Sequence, residues 1–385
     1  MASRGGAFAL TVVLCSVLAL ALQGGAAAAK RPLVPAMFVF GDSLVDVGNN
    51  NHLDGCNVLC KANYPRYGMD LPCHSPTGRF SNGYNLADRL AQRLGFAESP
   101  PPFLSLSSKA ADVATADNTE RMMAKGVNFA SGGSGLLSGT GQPMCGEVLS
   151  MAEQVGNFTS LVQMLENIDR RNKLARLIAK SLVFITVGSN DLFEYAGGVA
   201  SNRSAPGRND TEFLQGLVSN YTAYVKDLYA AGARKFSVVS PSLVGCCPSQ
   251  LKIARAVNDT DPFGCFGLAN NLSGQLYPMI AAMLDGLSRE LPGIKYSLAD
   301  SIQMAVNFVI SHGNITRDHA CCGSGAFGGD SVCNSTVPLC PDRSKYLFWD
   351  WFHPTDAVSD ITAHQLFVDN GTFVHPINVH QLVAH

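Results

Sequence analysis

Five short runs along the chain, residues 36–40, 126–129, 182–187, 235–239 and 294–298, are apolar at nearly every position. A strand with one solvated face alternates apolar and polar residues. Runs apolar on both faces, stopped by turn formers such as Gly41, Gly188 and Ser240, predict strands buried on both sides. Between them the pattern changes to helical spacing, over residues 84–94, 146–180, 211–231, 266–291, 302–311 and from 354 to about 368. In the third of these, Phe213, Leu214, Leu217, Tyr221, Tyr224, Val225 and Leu228 recur at three and four residues, and Gly232 ends the run. Strands alternating with helices predict an α/β fold, a central parallel sheet with helices on both faces. The Pro- and Ser-rich stretch at 98–118 reads as a surface excursion, and no internal repeat interrupts the alternation.

Parallel sheets of this kind bind ligands beyond the carboxyl ends of their strands, so the residues after each run are the candidates for chemistry. After the first, within "FVFGDSLVDVGNN" at 38–50, stand Asp42 and Ser43. A serine hydroxyl attacks a carbonyl only when a base removes its proton; the competing reading is a plain turn serine, with Asp42 stabilising the turn. After the second comes "NFASGGSG" at 128–135, whose glycines let the backbone approach a ligand and aim an N–H at it. No Gly-Lys-Ser/Thr follows to make it a phosphate loop. The third run enters Gly188-Ser189-Asn190-Asp191, where the Asn190 carboxamide offers a neutral donor for a developing oxyanion. Near the carboxyl end, "FWDWFHPTDA" at 348–357 places Asp350 three residues before His353. In a turn the carboxylate can hold the imidazole tautomer whose other nitrogen accepts the serine proton. Pro354 disfavours helix at His353 and puts it on the loop before the last helix. No Gly-x-Ser-x-Gly occurs, which removes the α/β-hydrolase fold as host for such a triad. Ser43 and His353 are 310 positions apart. They must come within ~2.6–3.2 Å to work together, so residues 30–385 are expected to close into one domain.

Charge and composition narrow the setting. With 28 basic and 30 acidic residues and no long basic run, nucleic acid and acidic membrane surfaces have no electrostatic case as partners. Arg4, the apolar stretch 7–22 and the small residues of "QGGAAAAK" form the layout of a secretory signal peptide, which removes 1–29 from the fold. No second apolar segment is long enough to predict a membrane span. Of twelve cysteines, Cys15 leaves with the leader. Eleven remain: Cys56, Cys60, Cys73, Cys145, Cys246, Cys247, Cys265, Cys321, Cys322, Cys333 and Cys340. In an oxidising compartment most should pair, the odd number leaves at least one thiol over, and the connectivity cannot be read from spacing. Cys56 and Cys60 have zinc-like spacing but no matching second pair, so no metal site is expected. Sequons at Asn157, Asn202, Asn209, Asn220, Asn258, Asn271, Asn314, Asn334 and Asn370 suggest a glycoprotein, and the ending "QLVAH" carries no retention tetrapeptide.

Taken together, "FVFGDSLVDVGNN", "GVNFASGGSGL", "FITVGSND" and "YLFWDWFHPTDA", in this order, resemble the sequence blocks of the GDSL esterase/lipase (SGNH hydrolase) family. "PTGRFSNG" at 76–83 and "ACCGSG" at 320–325 resemble its plant secreted branch. The resemblance implies a flavodoxin-like three-layer α/β/α sandwich with a five-stranded parallel sheet. It implies Ser43 as nucleophile, His353 as base and Asp350 as its orienter. The implied oxyanion donors are the Ser43 N–H, a glycine N–H and the Asn190 side chain. Gly132 matches the family's Ser-Gly step, and Gly133 beside it is the alternative. A serine esterase working through an acyl-enzyme, with no metal or organic cofactor, is the expected activity. The family includes lipid acyl-hydrolases and enzymes that deacetylate wall polysaccharides. For want of a long apolar lid segment, the expectation leans to O-acetyl esters of a polysaccharide such as xylan, with lipid esters as the alternative, in the wall or the Golgi lumen. A non-catalytic carbohydrate-binding glycoprotein is the rival from another class.

Overall fold

The computed structural model describes residues 31–106, 125–168, 171–201 and 209–384. The expected leader at 1–29, the sequon at Asn202 and residues 107–118 of the Pro- and Ser-rich stretch lie outside them. The five anticipated strands form: β1 (Met37–Gly41), β2 (Gly126–Asn128), β3 (Leu182–Thr186), β4 (Lys235–Val239) and β5 (Lys295–Ala299). They pair in the order β2-β1-β3-β4-β5, every pair parallel, the flavodoxin-like order. Three further strands escaped the sequence pattern. β6 (Thr316–Ala320) and β7 (Tyr346–Phe348) make a separate two-stranded sheet, and β8 (Val374–Pro376) adds antiparallel to β5. The main sheet therefore has six strands, five of them parallel.

Alternate side chains of the buried strands feed two cores. Phe38, Phe40, Val183, Ile185, Phe236 and Val238 face one, covered by helices Met151–Ile168, Asp210–Ala230 and Gly267–Glu290. Met37, Val39, Leu182, Phe184 and Val239 face the other, under helices Leu86–Arg93, Asp356–Val368 and Val379–Ala384. The helix expected at 211–231 runs Asp210–Ala230, buries Leu214, Leu217, Tyr221, Val225 and Leu228, and is capped by the Asn209 side chain on the Glu212 N–H. The long segment 146–180 divides into Met151–Ile168 and Arg171–Lys180. Helices Ser189–Ser201 and Pro248–Val257 were not anticipated, because each opens on what reads as a turn, Gly-Ser-Asn-Asp and Cys-Cys-Pro-Ser. Among the described residues no helix is long and apolar enough to cross a membrane.

Four disulfides form: Cys60–Cys145, Cys246–Cys265, Cys321–Cys340 and Cys322–Cys333. Cys56, Cys73 and Cys247 remain thiols. Of the eight described sequons, Asn209, Asn258, Asn271, Asn314 and Asn370 are exposed, and Asn157, Asn220 and Asn334 are half-buried.

Candidate active site

β1 and β3 are the neighbours between which the strand order reverses, and the crevice outside their carboxyl ends is where such sheets bind ligands. β1 ends at Gly41, whose φ of 142° and whose hydrogen, 1.9 Å from Thr186 O were it a Cβ, admit only glycine. Both backbone groups of Gly41 are held by the buried Gln154 side chain, Oε1 on the N–H at 2.9 Å and Nε2 on the carbonyl at 2.8 Å. The chain then turns, and Ser43 emerges half-buried.

His353 lies on the loop before helix Asp356–Val368, as Pro354 suggested. Its Nε2 is 2.8 Å from Ser43 Oγ, and its Nδ1 is 2.8 and 2.9 Å from the two Asp350 oxygens. The loop is closed by the Trp349 N–H on His353 O at 2.7 Å, and Asp350 Oδ1 also accepts the backbone N–H groups of Phe352 and His353. Asp350 is fully buried. Burial alone would raise its carboxyl, but the His353 charge and hydrogen bond, the Phe352 N–H and the Tyr67 hydroxyl outweigh it and hold the group below the usual carboxylate range. Tyr67, which the sequence did not single out, donates to Asp350 Oδ2 at 2.7 Å. Phe80, from "PTGRFSNG", lays its ring against the imidazole at 4.8 Å. The segment carrying it is pinned by a buried two-bond pair, Arg79 Nε and Nη2 on Asp88 at 2.7 and 2.9 Å.

Candidate donors line the same cavity as Ser43. Neither the Ser43 N–H nor the Gly133 N–H has a hydrogen-bond partner among the described residues, and both residues line the cavity. Asn190 opens helix Ser189–Ser201 and spends one Nδ2 proton on Ser134 O at 2.9 Å, leaving the other for the cavity. Asp191 beside it is buried and ties this helix to the glycine loop, accepting from the Leu136 and Leu137 N–H groups and Thr140 Oγ1 at 2.8–3.0 Å. The Gly132 N–H, favoured as a donor from the motif, points instead to Asp46 Oδ2 at 3.0 Å. Asp46 also accepts from Gly48 and Asn49, and burial raises its carboxyl to about 6 against these N–H groups. Asp42 stabilises the turn through the Leu44 N–H at 3.0 Å, while its Oδ2 is buried without a partner. Burial drives it up to about 7, opposed by the Leu44 N–H and nearby His353 and helped by Asp191.

Of the residues named from the sequence, Ser43, His353 and Asp350 form one hydrogen-bonded chain, and Asn190 lines the same cavity as Ser43. Tyr67, Gln154 and Asp46 went unnoticed. Asp46 had a local cue in "GDSLVDVGNN", a carboxylate two residues ahead of Gly48.

A family model for GDSL-like lipase/acylhydrolase matches residues 37–366. The chain belongs to that family. Two GDSL esterase/lipases of Arabidopsis thaliana are 34% and 35% identical to it, over 93% and 97% of this chain and 92% and 98% of their own. A third, GDSL esterase/lipase 7 of the same plant, is 32% identical over 97% of this chain and 99% of its own. This GDSL member is a serine hydrolase of carboxylic esters.

Proposed function

We propose that this esterase cleaves esters of a medium or long apolar acyl chain, with Ser43, His353 and Asp350 as its triad. Ser43 Oγ attacks the ester carbonyl while His353 Nε2 takes its proton; Asp350 holds the ring and offsets the imidazolium charge. The carbonyl oxygen, now anionic, meets the Ser43 N–H, a glycine N–H and Asn190 Nδ2. Collapse expels the alcohol with the proton from His353. Water then repeats the sequence on the acyl-Ser43 ester, releasing the acid and restoring the serine.

The observation that carries the acyl preference is the cavity. It has a volume of about 530 Å³, counts Ser43 and His353 among its lining residues and exposes mainly apolar surface. Leu59, Met144, Phe263 and Ile310, all exposed, reach it from four separate segments of the chain. The lean toward acetyl esters rested on the want of an apolar lid segment. Against that lean, helix Ser301–Ser311 sets Met304, Ala305, Phe308, Val309 and Ile310 on the cavity and adds apolar surface to it. An acetyl group would leave most of that surface unused, and a polysaccharide would find few hydrogen-bond partners on it.

Four disulfides, the sequons and the leader expected at 1–29 support folding in the secretory pathway and release outside the cell. The matched blocks at both ends support one hydrolase domain over 30–385. The test is a series of p-nitrophenyl esters from acetate to palmitate with a fluorophosphonate label on Ser43. Label lost in Ser43→Ala and kcat/KM rising to C8 and beyond are expected. A preference for acetate, with acetate released from acetylated xylan, would return the substrate to the wall polysaccharide. A native protein that neither labels nor turns over would leave only the carbohydrate-binding reading.

A further inference from the structure

The direction of one peptide bond bears on how the oxyanion is held. The carbonyl of Gly132 and the N–H of Gly133 belong to the same planar trans peptide and point opposite ways. Gly132 O accepts from the buried Asn50 Nδ2 at 2.8 Å, so the Gly133 N–H is turned away from Asn50. The peptide before it is fixed as firmly, its Gly132 N–H on Asp46 Oδ2 at 3.0 Å. Asn50 is itself immobilised, with Nδ2 also on Cys60 O at 2.7 Å and Oδ1 accepting from Ser131 Oγ. Asp46 is anchored to the nucleophile turn by the Gly48 and Asn49 N–H groups at 2.7 and 2.8 Å. Gly133 sits at φ 91°, a conformation only glycine holds without strain, and lines the cavity.

We propose that Asp46 and Asn50 are positioning residues of this esterase: Asn50 holds Gly132 O, Asp46 holds the Gly132 N–H, and the two successive peptides fixed in this way aim the Gly133 N–H at the oxyanion formed on Ser43. The inference rests on the triad reading above. It assigns the glycine donor to Gly133 and gives the carboxylate three positions after the nucleophile a task that touches no substrate. A charged acceptor suits that task, because hydrogen bonds to a carboxylate are about twice as strong as neutral ones. Glycine peptides are otherwise the easiest to flip.

The test compares wild type with Asp46→Asn and Asn50→Ala on a p-nitrophenyl ester, counting active sites with a fluorophosphonate. A donor that is no longer aimed costs transition-state binding and spares ground-state binding. Asp46→Asn is expected to lower kcat per titrated site by about ten- to a hundredfold, with KM within about twofold. Affinity for a trifluoromethyl ketone, whose adduct with Ser43 carries the same oxyanion, should fall in step with kcat. Asn50→Ala should show the same signature at smaller size and carries the test if Asp46→Asn fails to fold. Variants that lose thermal stability while kcat per site and ketone affinity stay at wild-type values would overturn the proposal and leave the esterase standing. A wild-type protein inert to ester and label would overturn both.

Discussion

The two halves of the site are built by different means. Ser43, Gly133 and Asn190 stand on turns that leave β1, β2 and β3, strands buried on both faces and locked between two cores. Asp350 and His353 stand outside the main sheet, on a loop that leaves β7. That strand pairs with β6 and not with the main sheet, Phe348 also bridges to Pro354, and the Cys321 and Cys322 N–H groups donate to Phe348 O and Trp349 O at 3.0 and 2.8 Å. Cys321–Cys340 and Cys322–Cys333 close this region, with Trp349 fully buried against them. The Ser43 turn and the glycine loop are held by strand ends in a close-packed sheet together with buried hydrogen bonds from Gln154, Asp46, Asn50 and Asp191. β6, with Arg317 and Asp318 exposed, brings little apolar surface, and here covalent closure adds to the packing around Trp349.

The largest expected effect lies on the stapled half. Asp350→Asn should lower kcat by about 10⁴-fold while the fold survives, because the imidazole loses its tautomer and its counter-charge; stopped assays of p-nitrophenyl ester turnover measure it. A loss below tenfold would mean that the Phe352 and His353 backbone contacts suffice to orient the ring. On the sheet half, Asn190→Ala removes one oxyanion donor of three and should cost about 10²–10³ in kcat with KM little changed. Equal losses from both variants would erase the division drawn here.

Removing the Cys321–Cys340 staple as Cys321→Ser with Cys340→Ser should cost roughly 2–5 kcal/mol of stability. Hydrogen exchange should place the loss at residues 316–353, with β1, β3 and β4 keeping their protection. Protection falling evenly across the main sheet would show the two regions to be one cooperative unit.

The smallest effect concerns Asp42 on the sheet half. Its folded-state carboxyl is raised from 3.8 to about 7, so its contribution is fully present below pH 4 and is lost as pH rises through 7. Native protein should therefore lose roughly 2 kcal/mol between pH 5 and pH 8 from this group. Asp42→Asn should flatten that decline in urea titrations at the two pH values. A variant with the same slope as wild type would assign the decline elsewhere, first of all to Asp46, raised in the same direction.

The division also decides what could be read from the chain. Residues 182–187 are apolar except for Thr186 and gave β3 within a residue, because burial on both faces selects such a composition. The sequence Thr-Arg-Asp-His-Ala of β6 carries no such signature. Its Arg317 and Asp318 are exposed, and the pairing with β7 depends on disulfides whose partners are a matter of tertiary structure. β8, three residues long, is too short for any period. In the site, Ser43, Asn190, Asp350 and His353 could be named from the sequence because their side chains are of the types the proposed chemistry needs. The orientation of the Gly132–Gly133 peptide was not, since it depends on Asp46 and Asn50 hydrogen bonds that span 86 and 82 positions.

The same long span between Ser43 and His353 has a consequence in time. A chain growing from its amino end delivers the nucleophile early and its base 310 residues later. Until β7 has been made and its cysteines oxidised, the serine is an ordinary alcohol in a finished turn. With the triad proposed above, hydrolysis is switched on only by completion of the molecule, and the growing chain cannot attack the esters it meets.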